Sequence, residues 1–197
     1  MKVLLVNQTH PLPPDYISHT VPIVGAEPEQ ADIFCIRQLS QMLTDCQKAG
    51  LNPVVLSAWR SRDRQAAILK ESIDAGIAAG MTDAEALERA LLQVAFPGTS
   101  EHETGLAFDI VDKSDMESQT EKPDESPAQR WLISHCWDYG FILRYPAGKE
   151  SITGYRYEPW HYRYIGREHS LRMKETGLCL EEYAAMEDDA AMEDGAV

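Results

Sequence analysis

Leu106 to Val111 reads L-A-F-D-I-V, an apolar run broken only by Asp109. The run predicts a central strand, where a carboxylate is costly unless it is paired or ligates a metal. Just upstream, Pro97 to Thr104 (P-G-T-S-E-H-E-T) places His102 between Gly98 and Gly105. The backbone freedom of those glycines lets a loop turn sharply and deliver the imidazole to the strand. Further along, Glu158-Pro159-Trp160-His161 adds a second imidazole and a second carboxylate. His102, Asp109 and His161 together leave one tetrahedral position free, as a catalytic zinc requires and a structural zinc does not. A lone His–Asp pair is more often an ordinary polar contact. The combination at this spacing carries the inference.

Glu158 stands close to the last of these residues and is the candidate general base. Pro159 argues against a helical turn, so this is not the arrangement of an H-E-x-x-H protease. An extended path across Pro159 still brings Glu158 and His161 to one cavity. The plain alternative is a pairing of Glu158 with a surface arginine. Arg60 follows the predicted strand Pro53–Leu56 and is placed either to hold a carbonyl oxygen as charge develops or to clamp a substrate carboxylate. Arg62 and Arg64, on the helix that follows, read as solvated. Trp160 either walls the pocket or packs the core. His10, His19 and His135 have no partner at ligand spacing, and His169 lies in the C-terminal helix.

The chain has 197 residues, enough for one domain with a real core. Its 32 acidic and 18 basic residues give a net charge of −14, which disfavours nucleic acid and anionic membrane as partners. No stretch has the length of a membrane span. The opening M-K-V-L-L-V is too short for a signal core, so the expected location is cytoplasmic, or extracytoplasmic if a leader has been trimmed. Cys35, Cys46, Cys136 and Cys179 form no C-x-x-C pair and read as buried free thiols, with two disulfides the alternative.

Residues 7–27 are Pro-rich and aperiodic, an extended arm covering about 1–27. A helix is predicted from Pro28 to Ala49 on the spacing of Ile33, Ile36, Leu39, Leu43 and Cys46. Pro53–Leu56 predicts a short buried strand. Helices follow over Arg62–Ala79 and, behind a Thr82–Glu85 capping box, to about Val94. Residues 112–126 read as a solvated loop. Ser126-Pro127 starts a helix that ends at Gly140. Phe141–Tyr145 and Gly154–Glu158 predict a strand pair, Trp160–Tyr164 a further strand, and Arg167–Glu175 a last helix. Residues 1–183 thus form a single α+β domain, a small, largely antiparallel sheet with flanking helices. Residues 184–197, with a repeated A-M-E-D, predict an acidic disordered tail.

Ser100-x-His102-x-x-Gly105-x-Ala107-x-Asp109, followed by Glu158-x-x-His161, resembles the signature of the zinc D,D-peptidases of the VanX/VanY type. The resemblance extends from Asn7–Leu12 to Leu180–Tyr183, and its layout is similar to the bifunctional VanXY type. It implies one Zn2+ per chain on His102, Asp109 and His161, with Glu158 as base and Arg60 stabilising the transition state. It also implies that Ser100 and Gln65 touch the substrate. Trp59 stands where the family often has Tyr or Phe. The implied activity is release of D-alanine from peptidoglycan-precursor peptides or D-Ala-D-Ala. Alternatives are an L,D-carboxypeptidase trimming the tetrapeptide and a catalytically silent zinc-containing binding module. Oligomeric state is not legible.

Overall fold

The computed structural model describes residues 3–118 and 123–194. In chain order the elements are β1 (Thr20–Pro22), β2 (Gln30–Asp32), α1 (Ile36–Lys48), β3 (Pro53–Ser57), α2 (Arg62–Ala78), α3 (Asp83–Leu91), β4 (Ala107–Asp112), α4 (Lys113–Ser118), α5 (Pro127–His135), β5 (Phe141–Leu143), α6 (Glu150–Thr153), β6 (His161–Tyr164), α7 (Arg167–Thr176) and α8 (Leu180–Asp194). β1 and β2 form an antiparallel hairpin. The other strands make one antiparallel sheet in the order β3-β4-β6-β5. This is a single α+β domain, as the alternation of short strands and helices predicts.

Side chains alternate across a strand, so the sheet has two chemically different faces. Val55, Phe108, Ile110, Phe141 and Tyr162 pack against Leu39, Met42 and Cys46 of α1 and Ala128 and Leu132 of α5. Asp109 and His161 fall on the opposite phase, and Arg163 follows His161 at strand spacing. In the β4–β6 register Asp109 lies directly opposite His161. A second apolar cluster, with Ile142, Ile165, Met173, Leu180 and Tyr183, seats α7 and α8 at the β5 side.

Several elements depart from expectation for local reasons. α1 begins at Ile36, not near Pro28, because Gln30–Asp32 pairs with β1. The Asp32 side chain then accepts the Phe34 N–H at 2.9 Å, and Ile33 is half exposed. β3 is an edge strand with Leu56 exposed, not a buried one. The strand pair predicted from Phe141–Tyr145 and Gly154–Glu158 does not form. β5 pairs with β6 instead, and Glu150–Thr153 is a helical turn ended by left-handed Gly154. Residues 154–160 arch over the site, tied by Glu158 N–H to Tyr145 O (3.1 Å) and Arg156 N–H to Leu92 O (3.1 Å).

Within 112–126 the solvated loop contains α4 and a buried anchor. Asp112 accepts from Ser114 N–H and, across the domain, from Ala128 N–H, each at 3.0 Å. It thereby satisfies a donor in the first turn of α5. Residues 119–122 of that loop lie outside the described residues. The tail expected to fray beyond Tyr183 is helical to Asp194. Met186 packs on the second cluster and Glu187 pairs with Arg172 at 2.8 Å, so the helix has a docked face. Residues 195–197 lie outside the described residues. All four cysteines are free and buried. Among the described residues no helix is long and apolar enough to cross a membrane.

Candidate metal centre and active-site cavity

A single 3-10 turn, Glu101–Thr104, brings His102 to the sheet. Gly105 closes it at φ 74°, where a Cβ would meet Thr20 Cγ2 at 2.9 Å and the Asp32 backbone nitrogen at 3.0 Å. Only glycine fits that left-handed, crowded position. The turn docks through Arg60 N–H to His102 O at 3.1 Å. It is braced by Glu103, which accepts from Gly98 N–H and pairs with Arg62. Arg62, read from sequence as solvated, is therefore a half-exposed strut.

The His102 ring donates from Nδ1 to Ala58 O at 2.7 Å, which turns Nε2 towards Asp109. Asp109 Oδ1 lies 3.4 Å from His102 Nε2 and 3.5 Å from His161 Nδ1. One donor atom from each of the three residues lies within 4.8 Å of the others. Asp109 Oδ1 is buried without a hydrogen bond, an orphaned acceptor between two imidazole nitrogens. An N,N,O donor set of this kind fits zinc. Burial opposes ionisation of Asp109, but His102, His161 and Arg60 outweigh it and hold the carboxyl well below the usual range. Burial lowers the His102 pKa, the direction that favours the neutral imidazole a metal ligand must present.

Glu158 Oε2 lies 3.4 Å from His161 Nδ1, on the cavity side of the centre. Burial raises its pKa above the ordinary glutamate value. The Glu158–His161 turn is fixed by His161 N–H to Glu158 O, by Ile110 N–H to Trp160 O, and by Gln129, whose amide donates to Pro159 O. Gln129, in the first turn of α5, thereby ties that helix to the turn.

Arg60 spreads its guanidinium over three acceptors: Ser57 Oγ (2.8 Å), Gln65 Oε1 (3.4 Å) and Asp109 Oδ2 (2.6 Å). Gln65 is itself held by donation to Ala95 O at 2.8 Å. A cavity of about 380 Å³ opens over the centre, lined by Arg60, Gln65, Ser100, Glu158 and Trp160 together with the three candidate ligands. All eight residues singled out in the sequence therefore meet in one place. His10, His135 and His169 lie outside it, engaged with Thr9, Trp131 and Tyr183.

Sequence reasoning missed Glu101, Arg144 and Arg163, a buried ionic cluster, and the tyrosine pair Tyr145–Tyr155, whose ring centroids are 4.6 Å apart beside His161. Glu101 is next to His102 in sequence, and Arg163 follows His161 at strand spacing. Those were the available signals. Nothing local marks Arg144 as buried.

Residues 29–167, more than half of the chain, match the VanY D-alanyl-D-alanine carboxypeptidase family, and the chain belongs to that family. A D-alanyl-D-alanine carboxypeptidase of Enterococcus faecalis is 37% identical over 181 residues, covering 92% of this chain and 65% of that protein. The chain spans about two thirds or less of the length of the curated relatives it matches first, 65%, 65% and 56%. The solved structure of VanYB in complex with D-alanine-D-alanine superposes with a TM-score of 0.82 at 37% identity, covering 91% of this chain and 94% of that one. A VanY mutant from a VanB-type cassette, solved in complex with Zn(II), gives the same TM-score and identity and covers 91% and 96%. The LD-carboxypeptidase LdcB is similar at TM-score 0.77 and 34% identity, covering 91% of this chain and 83% of its own.

Proposed function

We propose that this chain is a zinc-dependent D,D-carboxypeptidase that removes the C-terminal D-alanine from peptidoglycan-precursor peptides, with D-Ala-D-Ala as a shorter substrate. The observation that carries the reading is the pairing of an orphaned Asp109 Oδ1 between two imidazoles with a buried carboxylate, Glu158, beside them. His102 Nε2, Asp109 Oδ1 and His161 Nδ1 would hold one zinc per chain. Bound there, zinc supplies a Lewis acid and lowers the pKa of a coordinated water towards about 7.

The protein's own groups do the rest. Glu158 accepts the proton of the attacking water and delivers it to the leaving amine, a task suited to a carboxyl whose pKa burial has raised. Arg60 presents its guanidinium to the cavity, where it stabilises negative charge on the carbonyl oxygen or clamps the terminal carboxylate. Ser100 and Gln65 line the same cavity and hold the peptide, and Trp160 walls it. Gln65 also steers Arg60 through the 3.4 Å contact.

The cavity volume, about 380 Å³, lies in the range of small-ligand pockets. Likeness to LdcB supports a second reading, an L,D-carboxypeptidase acting on the tetrapeptide. Mass spectrometry of products from pentapeptide, tetrapeptide and D-Ala-D-Ala, with and without chelator, separates them. Chelator-sensitive loss of one D-alanine from pentapeptide is expected. Cleavage of tetrapeptide alone would move the assignment to the L,D class, and no cleavage of any substrate would leave a binding module.

A further inference from the structure

One nitrogen of His161 faces Asp109 and Glu158; the other faces Glu101. The Glu101 side chain is fully buried, and its Oε2 lies 3.4 Å from His161 Nε2. Neither of these two buried atoms has a hydrogen-bond partner among the described residues, so the two are left facing each other. Glu101 Oε1 is gripped by Arg144 Nε at 2.7 Å and Arg163 Nη1 at 2.8 Å, both from buried side chains. Arg144 then spends its remaining nitrogens on a two-pronged pair with Glu181 of α8, at 2.9 and 2.6 Å.

Burying this many charges is costly, and well-packed apolar side chains of similar volume often stabilise a fold as well or better. Its position is therefore informative. His102 is oriented by a neutral carbonyl, that of Ala58. His161 alone has an ionic acceptor behind it. Two guanidinium groups lie against the same oxygen of Glu101, Arg144 Nε at 2.7 Å and Arg163 Nη1 at 2.8 Å, which places two positive charges on the carboxyl that faces His161. A fixed carboxylate accepting the outer N–H of a ligating imidazole sets the tautomer and strengthens the ring as a donor.

We propose that Glu101 is the positioning residue for His161: it accepts the Nε2–H of the ring, keeps the proton on that nitrogen so that Nδ1 is left for the metal, and is itself locked by Arg144 and Arg163, with Glu181 of the C-terminal helix as the outer anchor. The proposal rests on the zinc reading above. It makes the metal centre depend on a helix that contributes no residue to the cavity lining.

The test uses the full chain, stripped of metal and titrated with zinc against a chromophoric chelator, as wild type and as Glu101→Gln. Outer-shell substitutions typically cost about 10–100-fold in metal affinity, and a loss of that order is expected with the helical circular-dichroism signal retained. A purely structural role would lower the melting temperature and leave zinc affinity unchanged, and that result overturns the proposal. Nitrogen-15 NMR of zinc-loaded wild type gives an answer that does not depend on the variant folding. A His161 ring protonated at Nε2 is expected; protonation at Nδ1 would overturn the role. Failure of wild type to bind zinc would overturn the zinc reading and this role together. Unchanged affinity in Glu101→Gln overturns the role alone.

Discussion

Arg60 Nη2 donates to Asp109 Oδ2 at 2.6 Å, which leaves Oδ1 of the same carboxylate facing His102 and His161. The two oxygens of Asp109 thus face different partners, one a guanidinium and one the imidazoles of the candidate metal centre. The antiparallel register produces this. Ser57 lies opposite Asp109, so the chain leaving β3 carries Arg60 past the carboxylate. Arg60 consequently shapes the candidate metal centre as well as lining the cavity.

Replacing Arg60 by Lys keeps the positive charge and loses the planar fork that reaches Ser57, Gln65 and Asp109 together. Turnover of pentapeptide should fall by about 10²–10³-fold, the usual cost of removing a group that stabilises developing negative charge. The thermal transition should move little, because the site lies at the edge of the core. Wild-type turnover in Arg60→Lys would return the side chain to a structural role.

Alanine at His102, Asp109 or His161 removes one of the three candidate donors grouped among the described residues. Each variant should lose most bound zinc, measured by atomic emission after dialysis, and nearly all activity. Asp109→Ala should also free Arg60, so its loss exceeds that of the metal alone. Full zinc occupancy in all three variants would rule the assignment out.

Legibility of this chain in its sequence follows the range of the interactions. The capping box at Thr82–Glu85 and the glycine at 105 are local rules, and both appear as read. Asp109 was legible because an apolar strand advertises any charge within it. The 154–158 segment was misread because Tyr155 and Tyr157 alternate as a strand would. Its backbone is instead recruited by Leu92 and Tyr145, partners remote in sequence. Arg144 looks like any surface arginine until Glu101 and Glu181 converge on it. The helix beyond Tyr183 depends on tertiary docking through Met186 and Glu187, which composition does not record.

The cysteines give a test of the packing independent of the metal. Burial pushes the Cys35 thiol up to about 12 and the Cys46 thiol up to about 11, and raises Cys136 and Cys179 as well. The thiolate is the reactive form, so a raised pKa together with burial suppresses alkylation. Iodoacetamide at pH 8 should label none of the four in the folded protein and all four in denaturant, counted by intact mass. Fast labelling of any one under native conditions would show that its surroundings open readily.

Glu158 separates a catalyst from a binding module. It lies 3.4 Å from His161 Nδ1 yet stands outside the three-residue donor group, which places it beside the candidate metal centre. Glu158→Gln should keep the fold and the zinc while losing the ability to take a proton. Acid–base catalysis is typically worth about 10²–10⁴-fold, and turnover should drop by that order with substrate affinity changed far less. The pH profile supplies a second readout. Burial raises the Glu158 pKa, so the protonated, inactive form persists to higher pH than for an exposed glutamate. Wild-type kcat/KM should therefore fall as pH is lowered through that raised value, and the acid limb should vanish from the residual activity of Glu158→Gln. Loss of zinc in the variant would make Glu158 a ligand and require a different base. Unchanged turnover would make it a bystander, with the proton carried by another group.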